Sequence, residues 1–133
     1  MPEKYAAIKA SYDRCCESEG FVATFYEHFF AKSPEVPRLF AHTDFERQHQ
    51  ALRSALWQMV MYGTGFDDVR RSLRVTAEIH SRQFLDIKPE LYALWLDSLC
   101  EAIAEHDSQY TPELEQLWRV VMRKGIDLMI SLY

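Results

Sequence analysis

The chain has 133 residues, 48% hydrophobic and 14% aromatic, with a formal net charge of −5. That length predicts one domain over residues 1–133 with a core that needs no disulfides, and the negative balance excludes a phosphate-neutralising nucleic-acid surface. Three cysteines, Cys15, Cys16 and Cys100, close no disulfide framework and point to a reducing, cytoplasmic setting. Met1 to Lys9 lacks the apolar run of a signal peptide, and no apolar stretch is long enough to span a bilayer.

Taken in order, the first helix is predicted from about Glu3 to Ser18, with Tyr5, Ile8, Tyr12 and Cys15 on one face. Gly20 punctuates it. The adjacent thiols Cys15 and Cys16 read as an inert, partly buried pair in preference to a redox switch. A second helix, Phe21 to Ser33, carries the stripe Val22, Phe25, Tyr26, Phe29 and Phe30. An inward Tyr26 needs a partner for its hydroxyl, which backbone could supply. Ser33 followed by Pro34 predicts a cap and a short helical turn ending at Leu39 and Phe40.

Thr43 and Glu46 have capping-box spacing and open a helix to about Gly63. Its inner stripe is Phe45, Gln48, Leu52, Ala55 or Leu56, and Met59. Gln48 interrupts that face, either as a boundary residue or as a polar group aimed into a cavity. Asp67 and Asp68 are placed to start the next helix, on which Val69, Leu73, Ala77, His80 and Phe84 share one stripe. Pro89 opens a further helix with Tyr92, Trp95, Leu99, Ala102 and Ile103 inward. Thr111 and Pro112 start the last one, its core side formed by Leu114, Leu117, Trp118, Val121 and Leu128, with Gly125 marking a close crossing or a weak spot. The predicted fold is all-α, with about six substantial helices and short links.

His80 is the chemical centre of this pattern. An inward neutral imidazole takes either a backbone carbonyl or a metal. Among His28, His42, His49, His80 and His106, no pair has the spacing of a helical zinc site. Cys15-Cys16 lacks the gap of a metal knuckle, and one Glu46-x-x-His49 element does not make a di-iron bundle. No nucleophile elbow or phosphate-cradling glycine loop is present. A single inward histidine among aromatic helix faces suits a haem, which takes one axial imidazole in an apolar slot.

The run Phe25-Tyr26-x-x-Phe29-Phe30-Ala31-Lys32-x-Pro34-Glu35-Val36-x-x-Leu39-Phe40 resembles the corresponding segment of flavohaemoglobins and single-domain bacterial haemoglobins. Gln48-x-x-Ala51-Leu52 is similar to their distal helix. His80 with Leu85-x-Ile87-x-Pro89-x-x-Tyr92 resembles the proximal segment of globin-coupled sensor globins. The likeness covers essentially the whole chain. It implies a globin fold, a three-on-three helical sandwich around haem b with no distinct D helix.

By that resemblance His80 is the iron ligand, its Nδ1 donating to the carbonyl near Thr76, and Phe40 is the aromatic wedge beside Leu39. Tyr26 is the distal hydroxyl, Gln48 the distal gate, Leu52 the apolar neighbour, and Tyr92, Trp95, Phe84 and Arg82 complete the cofactor contacts. Arg82, Lys88, Arg53 and His42 are the cationic candidates for the propionates, and His49 is an alternative to Gln48. Implied ligands are oxygen, nitric oxide and carbon monoxide, held by a monomer or homodimer without nucleic acid or membrane. Hydroxyl, amide and indole donors in a dry pocket favour bound oxygen over carbon monoxide. The chain departs from flavohaemoglobins in ending Ile130-Ser131-Leu132-Tyr133, without their proximal acid. Nitric-oxide dioxygenase or peroxidase-like chemistry would need a separate reductase, and a haem-free signalling module is a third reading.

Overall fold

The computed structural model describes the backbone of residues 2–133 and the side chains from Tyr5 onward. Seven α-helices and one 3₁₀ turn account for the fold, and there is no strand among the described residues. The helices are α1 (Pro2–Glu17), α2 (Phe21–Lys32), α3 (Glu35–Leu39), α4 (Phe45–Gly63), α5 (Arg70–His80), α6 (Glu90–His106) and α7 (Pro112–Ser131). The 3₁₀ turn, Asp67–Val69, leads directly into α5.

The boundaries follow local chemistry. Gly20, at φ 85°, lets the chain turn from α1 into α2 where a side chain would be strained. The Glu35 amide donates to Ser33 Oγ at 3.3 Å, and Pro34 already has helical dihedrals, as the Ser-Pro pair predicts. α4 is capped one residue later than its capping-box spacing implied. Asp44, not Thr43, accepts from the Glu46 and Arg47 amides at 3.1 and 3.4 Å, because a carboxylate facing a helix N-terminus is the stronger acceptor. Thr111 caps α7 through the Leu114 amide at 3.0 Å, with Pro112 in the first turn. Asp67 and Asp68 belong to the 3₁₀ turn, and Asp67 also pairs with Lys124 of α7 at 2.9 Å.

The layers are those the resemblance implies. α2 runs along α6, while α4 and α5 both pack on α7, which also meets α6. α1 lies against α4, α6 and α7. From α3, residues 40–44 lead straight into α4 with no helix between them. The shared core includes Ile8, Phe21, Phe25, Leu56, Leu99 and Trp118, each essentially inaccessible to solvent. Burying one such side chain stabilises the fold by about 1.5–3 kcal/mol.

Two features fix how closely the helices meet. A Cβ added at Gly63 would lie 2.0 Å from the Val121 carbonyl oxygen, so α4 and α7 touch backbone to backbone there. At Gly125 the nearest atom is the flexible Met59 Cε at 3.0 Å. Gly125 does sit at the crossing of α4 and α7, but Gly63 is its tightest point.

The second feature is polar. Asp107, at the end of α6, accepts from Ser11 Oγ at 2.6 Å, from Arg14 Nη2 at 3.0 Å and Nε, and from the Gln109 amide at 2.9 Å. Trp118 Nε1 donates to the same Ser11 hydroxyl at 2.9 Å. Its neighbour His106 bonds Ser18 Oγ through Nδ1 at 2.7 Å and Thr24 Oγ1 through Nε2 at 2.8 Å. Burial raises the pKa of Asp107, but the bonds from Arg14, Ser11 and Gln109 outweigh it and hold the carboxyl below its ordinary value.

Cys15 and Cys100 are buried free thiols, each pushed up to about 12 by burial. Such thiols stay protonated and unreactive at neutral pH.

Candidate functional site

A cavity of about 560 Å³ is walled by residues of α2, α4, α5, α6 and α7 together with the segments around α3 and after α5. α5 supplies Thr76, Ile79 and His80. His80 is the last residue of that helix, and its Nδ1 donates to the Thr76 carbonyl at 2.7 Å, one turn back. This fixes the ring and its tautomer, because a carbonyl can only accept. Nε2 has no hydrogen-bond partner among the described residues. Burial lowers the His80 pKa from its ordinary 6.5, and the Thr76 carbonyl opposes that more weakly. The imidazole is therefore neutral at pH 7, with the lone pair of Nε2 available as a metal ligand.

The donors come from α2 and α4. Gln48 Nε2 donates to the Tyr26 hydroxyl oxygen at 3.0 Å, and both residues line the cavity. Burial pushes the Tyr26 phenol up to about 12, with the Gln48 bond a smaller opposing effect. The phenol therefore keeps its proton, which has no protein acceptor among the described residues. His49 stacks on the Tyr26 ring at 5.6 Å and 11° but does not line the cavity. Leu52 is buried on the same wall as Gln48.

Leu39 and Phe40 follow from α3, the Phe40 ring standing edge-on to Tyr26 at 5.6 Å and against Phe30 and Phe45. α6 adds Leu91, Tyr92 and Trp95, with Trp95 edge-on to Phe25 at 5.9 Å. The Trp95 indole and the Tyr92 phenol form no hydrogen bond among the described residues, and as neither is a buried orphan both groups open onto the cavity. Burial pushes Tyr92 up to about 12.

Two expected cofactor contacts lie elsewhere. α5 ends at His80, where Ser81 Oγ turns back to the Glu78 carbonyl at 2.6 Å and Ser81 adopts an extended backbone. The helical period therefore never reaches Phe84, which is 70% exposed. Arg82 lies in a separate surface depression, its guanidinium 4.6 Å from the centre of the Tyr133 ring. Lys88, Arg53 and His42 are exposed and absent from the cavity wall.

Other wall residues went unnoticed in the sequence. Ser54 and Gln58 extend the α4 wall, and Ile126 with Met129 closes it from α7. The signal for the last two was available, since they continue the buried face of Val121 and Met122 at helical spacing. Ser54 and Gln58 carry no such signal, being polar residues beside the apolar stripe.

The lining holds no Asp, Glu, Lys or Arg. Among the described residues no group of three or more His, Cys, Asp or Glu is placed to hold a bare metal ion. What this wall can take is a large apolar molecule that brings its own metal ligands and needs one axial imidazole, and a haem fits that donor set. A family model described as Globin matches residues 23–127. The chain is also similar to the crystal structure of protein PA3967 from Pseudomonas aeruginosa, described as structurally highly homologous to a human haemoglobin. The two are 44% identical with a TM-score of 0.92, and the match covers 98% of each chain. No curated protein matches. With the family model spanning most of its length and a 44% identical haemoglobin-like relative over nearly all of it, this chain belongs to the globin family, for which haem binding is the general property.

Proposed function

We propose that residues 1–133 form one globin domain that holds haem b through His80 and binds oxygen reversibly, with nitric oxide and carbon monoxide as competing ligands. The carrying observation is the Gln48 to Tyr26 hydrogen bond at 3.0 Å in the wall that also holds His80. A haem, when bound, supplies an iron that takes up a diatomic gas. Everything else is the work of the chain.

Thr76 orients His80 so that Nε2, not Nδ1, is free to ligate. Phe40, Leu39, Leu52, Tyr92 and Trp95 offer the ring apolar contact and keep water out. Gln48 satisfies the Tyr26 oxygen and leaves the phenolic proton to point at a gas ligand. Donors of this kind favour a ligand that draws negative charge, as oxygen does, over carbon monoxide. Trp95 is a further donor with its N–H unspent. The wall contains no carboxylate to relay a proton, which leaves the peroxidase-like reading without a residue of its own, whereas the dioxygenase reading turns on a separate electron donor. Free, protonated thiols at Cys15 and Cys100 suit a reducing, cytoplasmic setting.

The test is spectroscopic. Purified protein reconstituted with haem should show a Soret band, and its ferrous form should load and release oxygen over repeated cycles. A colourless protein would favour the haem-free module. Rapid consumption of nitric oxide that depends on an added reductase would favour the enzyme.

A further inference from the structure

We infer that Tyr133 is a positioning residue for the His80 side of the cavity, acting through the loop of residues 81–89 between α5 and α6. The inference rests on the haem reading for its spectroscopic consequence, but the contacts stand without it. The Arg82 amide donates to the Tyr133 carbonyl at 3.3 Å. The Tyr133 hydroxyl donates to the Asp86 carboxylate, and the Arg82 guanidinium lies 4.6 Å from the centre of the Tyr133 ring. One residue thus holds both ends of the turn that follows His80, through its main chain and ring at Arg82 and its hydroxyl at Asp86.

That turn needs holding. Asp86 has φ 52°, and it is the sole non-glycine residue in the left-handed region among the described residues. Its amide bonds the Ser81 carbonyl at 2.8 Å, the Ile87 amide bonds the His80 carbonyl at 2.9 Å, and the Leu85 amide bonds the Ile79 carbonyl at 3.0 Å. The loop therefore doubles back on the end of α5 and presents Leu85 and Ile87 to the cavity beside His80. At its other end Tyr133 is anchored by its amide to the Ile130 carbonyl at 3.1 Å, one residue past Met129 of the cavity wall. Tyr133 ties the α7 wall to the loop that carries Leu85 and Ile87. This accounts for Arg82 without a propionate: the guanidinium stacks on the ring that does the tying.

Tyr133→Phe and Asp86→Ala both remove the hydroxyl–carboxylate bond and leave the Arg82 contacts, whereas Asp86→Asn keeps an oxygen that can accept from the phenol. In haem-free protein, hydrogen exchange at the Asp86 and Ile87 amides should quicken several-fold in the first two variants, with the interior of α6 unchanged. In haem-loaded protein, the iron–histidine stretching band should shift and haem should pass to an acceptor apoglobin several-fold faster. Asp86→Asn should restore both. Unchanged exchange would overturn the inference, as would faster exchange with an unmoved stretching band and unaltered haem transfer. A parent protein that takes up no haem would sink the haem reading, and exchange in the haem-free chain would still decide whether Tyr133 holds the loop.

Discussion

Gln48 and Tyr26, on α4 and α2, meet through a 3.0 Å bond in which the amide donates and the phenol oxygen accepts. The direction of that bond matters. A phenol that has accepted from an amide has only its own proton left to offer, and the nearest unfilled space is the cavity.

Tyr26→Phe is expected to speed oxygen release roughly tenfold, since a hydrogen bond worth about 1–1.5 kcal/mol net is lost. Gln48→Leu should have a smaller effect, because it frees the phenol to rotate without removing it. Stopped-flow displacement of oxygen by carbon monoxide measures both. An unchanged rate in Tyr26→Phe would remove the phenol from the ligand site.

His80→Gly should abolish stable haem retention while leaving the helical circular-dichroism signal intact. Apart from its bond to the Thr76 carbonyl, the ring makes no hydrogen bond among the described residues. Added imidazole should restore the Soret band in this variant. A His80→Gly protein with an unaltered spectrum would displace His80 as the ligand.

Acid should weaken the haem-free protein partly through His80. Burial lowers its folded-state pKa below 6.5, so the unfolded chain takes up the proton first. Stability from this group is complete above pH 6.5 and falls as pH drops from there through the folded value. Denaturant melts at pH 7.5 and 5 should show a smaller loss in His80→Gln than in the parent. Equal losses would mean that the ring is not buried in solution.

Asp107→Ala should destabilise the fold by about 3 kcal/mol, as expected when one partner of a buried charge network is removed. The sign with pH is the same as for His80, but the loss falls in a more acidic range. The depressed carboxyl contributes fully above its ordinary value of 3.8, and the contribution is lost as pH falls through the lower folded value. Equilibrium unfolding at pH 7 and pH 3 checks both statements.

Gly63→Ala should cost about 2–3 kcal/mol, because its Cβ would meet the Val121 backbone, which cannot step aside without moving α7. Gly125→Ala should cost under about 1 kcal/mol, since Met59 can change rotamer. Thermal melts of the two variants side by side would test the contrast.

The sequence made the helices legible because their apolar stripes are long and their caps conventional; Thr111-Pro112 and Ser33-Pro34 behave as read. Periodicity turned His80, Tyr26 and Gln48 inward or left them ambiguous; it was the resemblance to bacterial globins that grouped them with Phe40, Tyr92 and Trp95, and all six line one cavity. It failed where a period was carried past a helix end. Phe84 sits at the right interval from His80, but the Ser81 hydroxyl ends the helix first, and nothing in the apolar pattern records that. Thr43 lost the cap to its neighbour Asp44 for a similar reason: spacing alone does not rank two adjacent acceptors. Ser11 and Asp107 were invisible because their partners lie 96 residues apart.

Those long separations bear on the order in which the molecule assembles. Ser11 and Arg14 find their acceptor 96 and 93 residues later in the chain, and Ser18 and Thr24 find His106 at separations of 88 and 82. Such wide loops close late in folding, because the entropy of closure must be met before the contacts can repay it. During synthesis the Tyr12 hydroxyl of α1 can meet the Arg53 carbonyl once α4 has formed, yet Ser11 and Arg14 have no acceptor until the far end of α6 has left the ribosome. The polar seam between α1 and the end of α6 is thus completed only after most of the chain has been made.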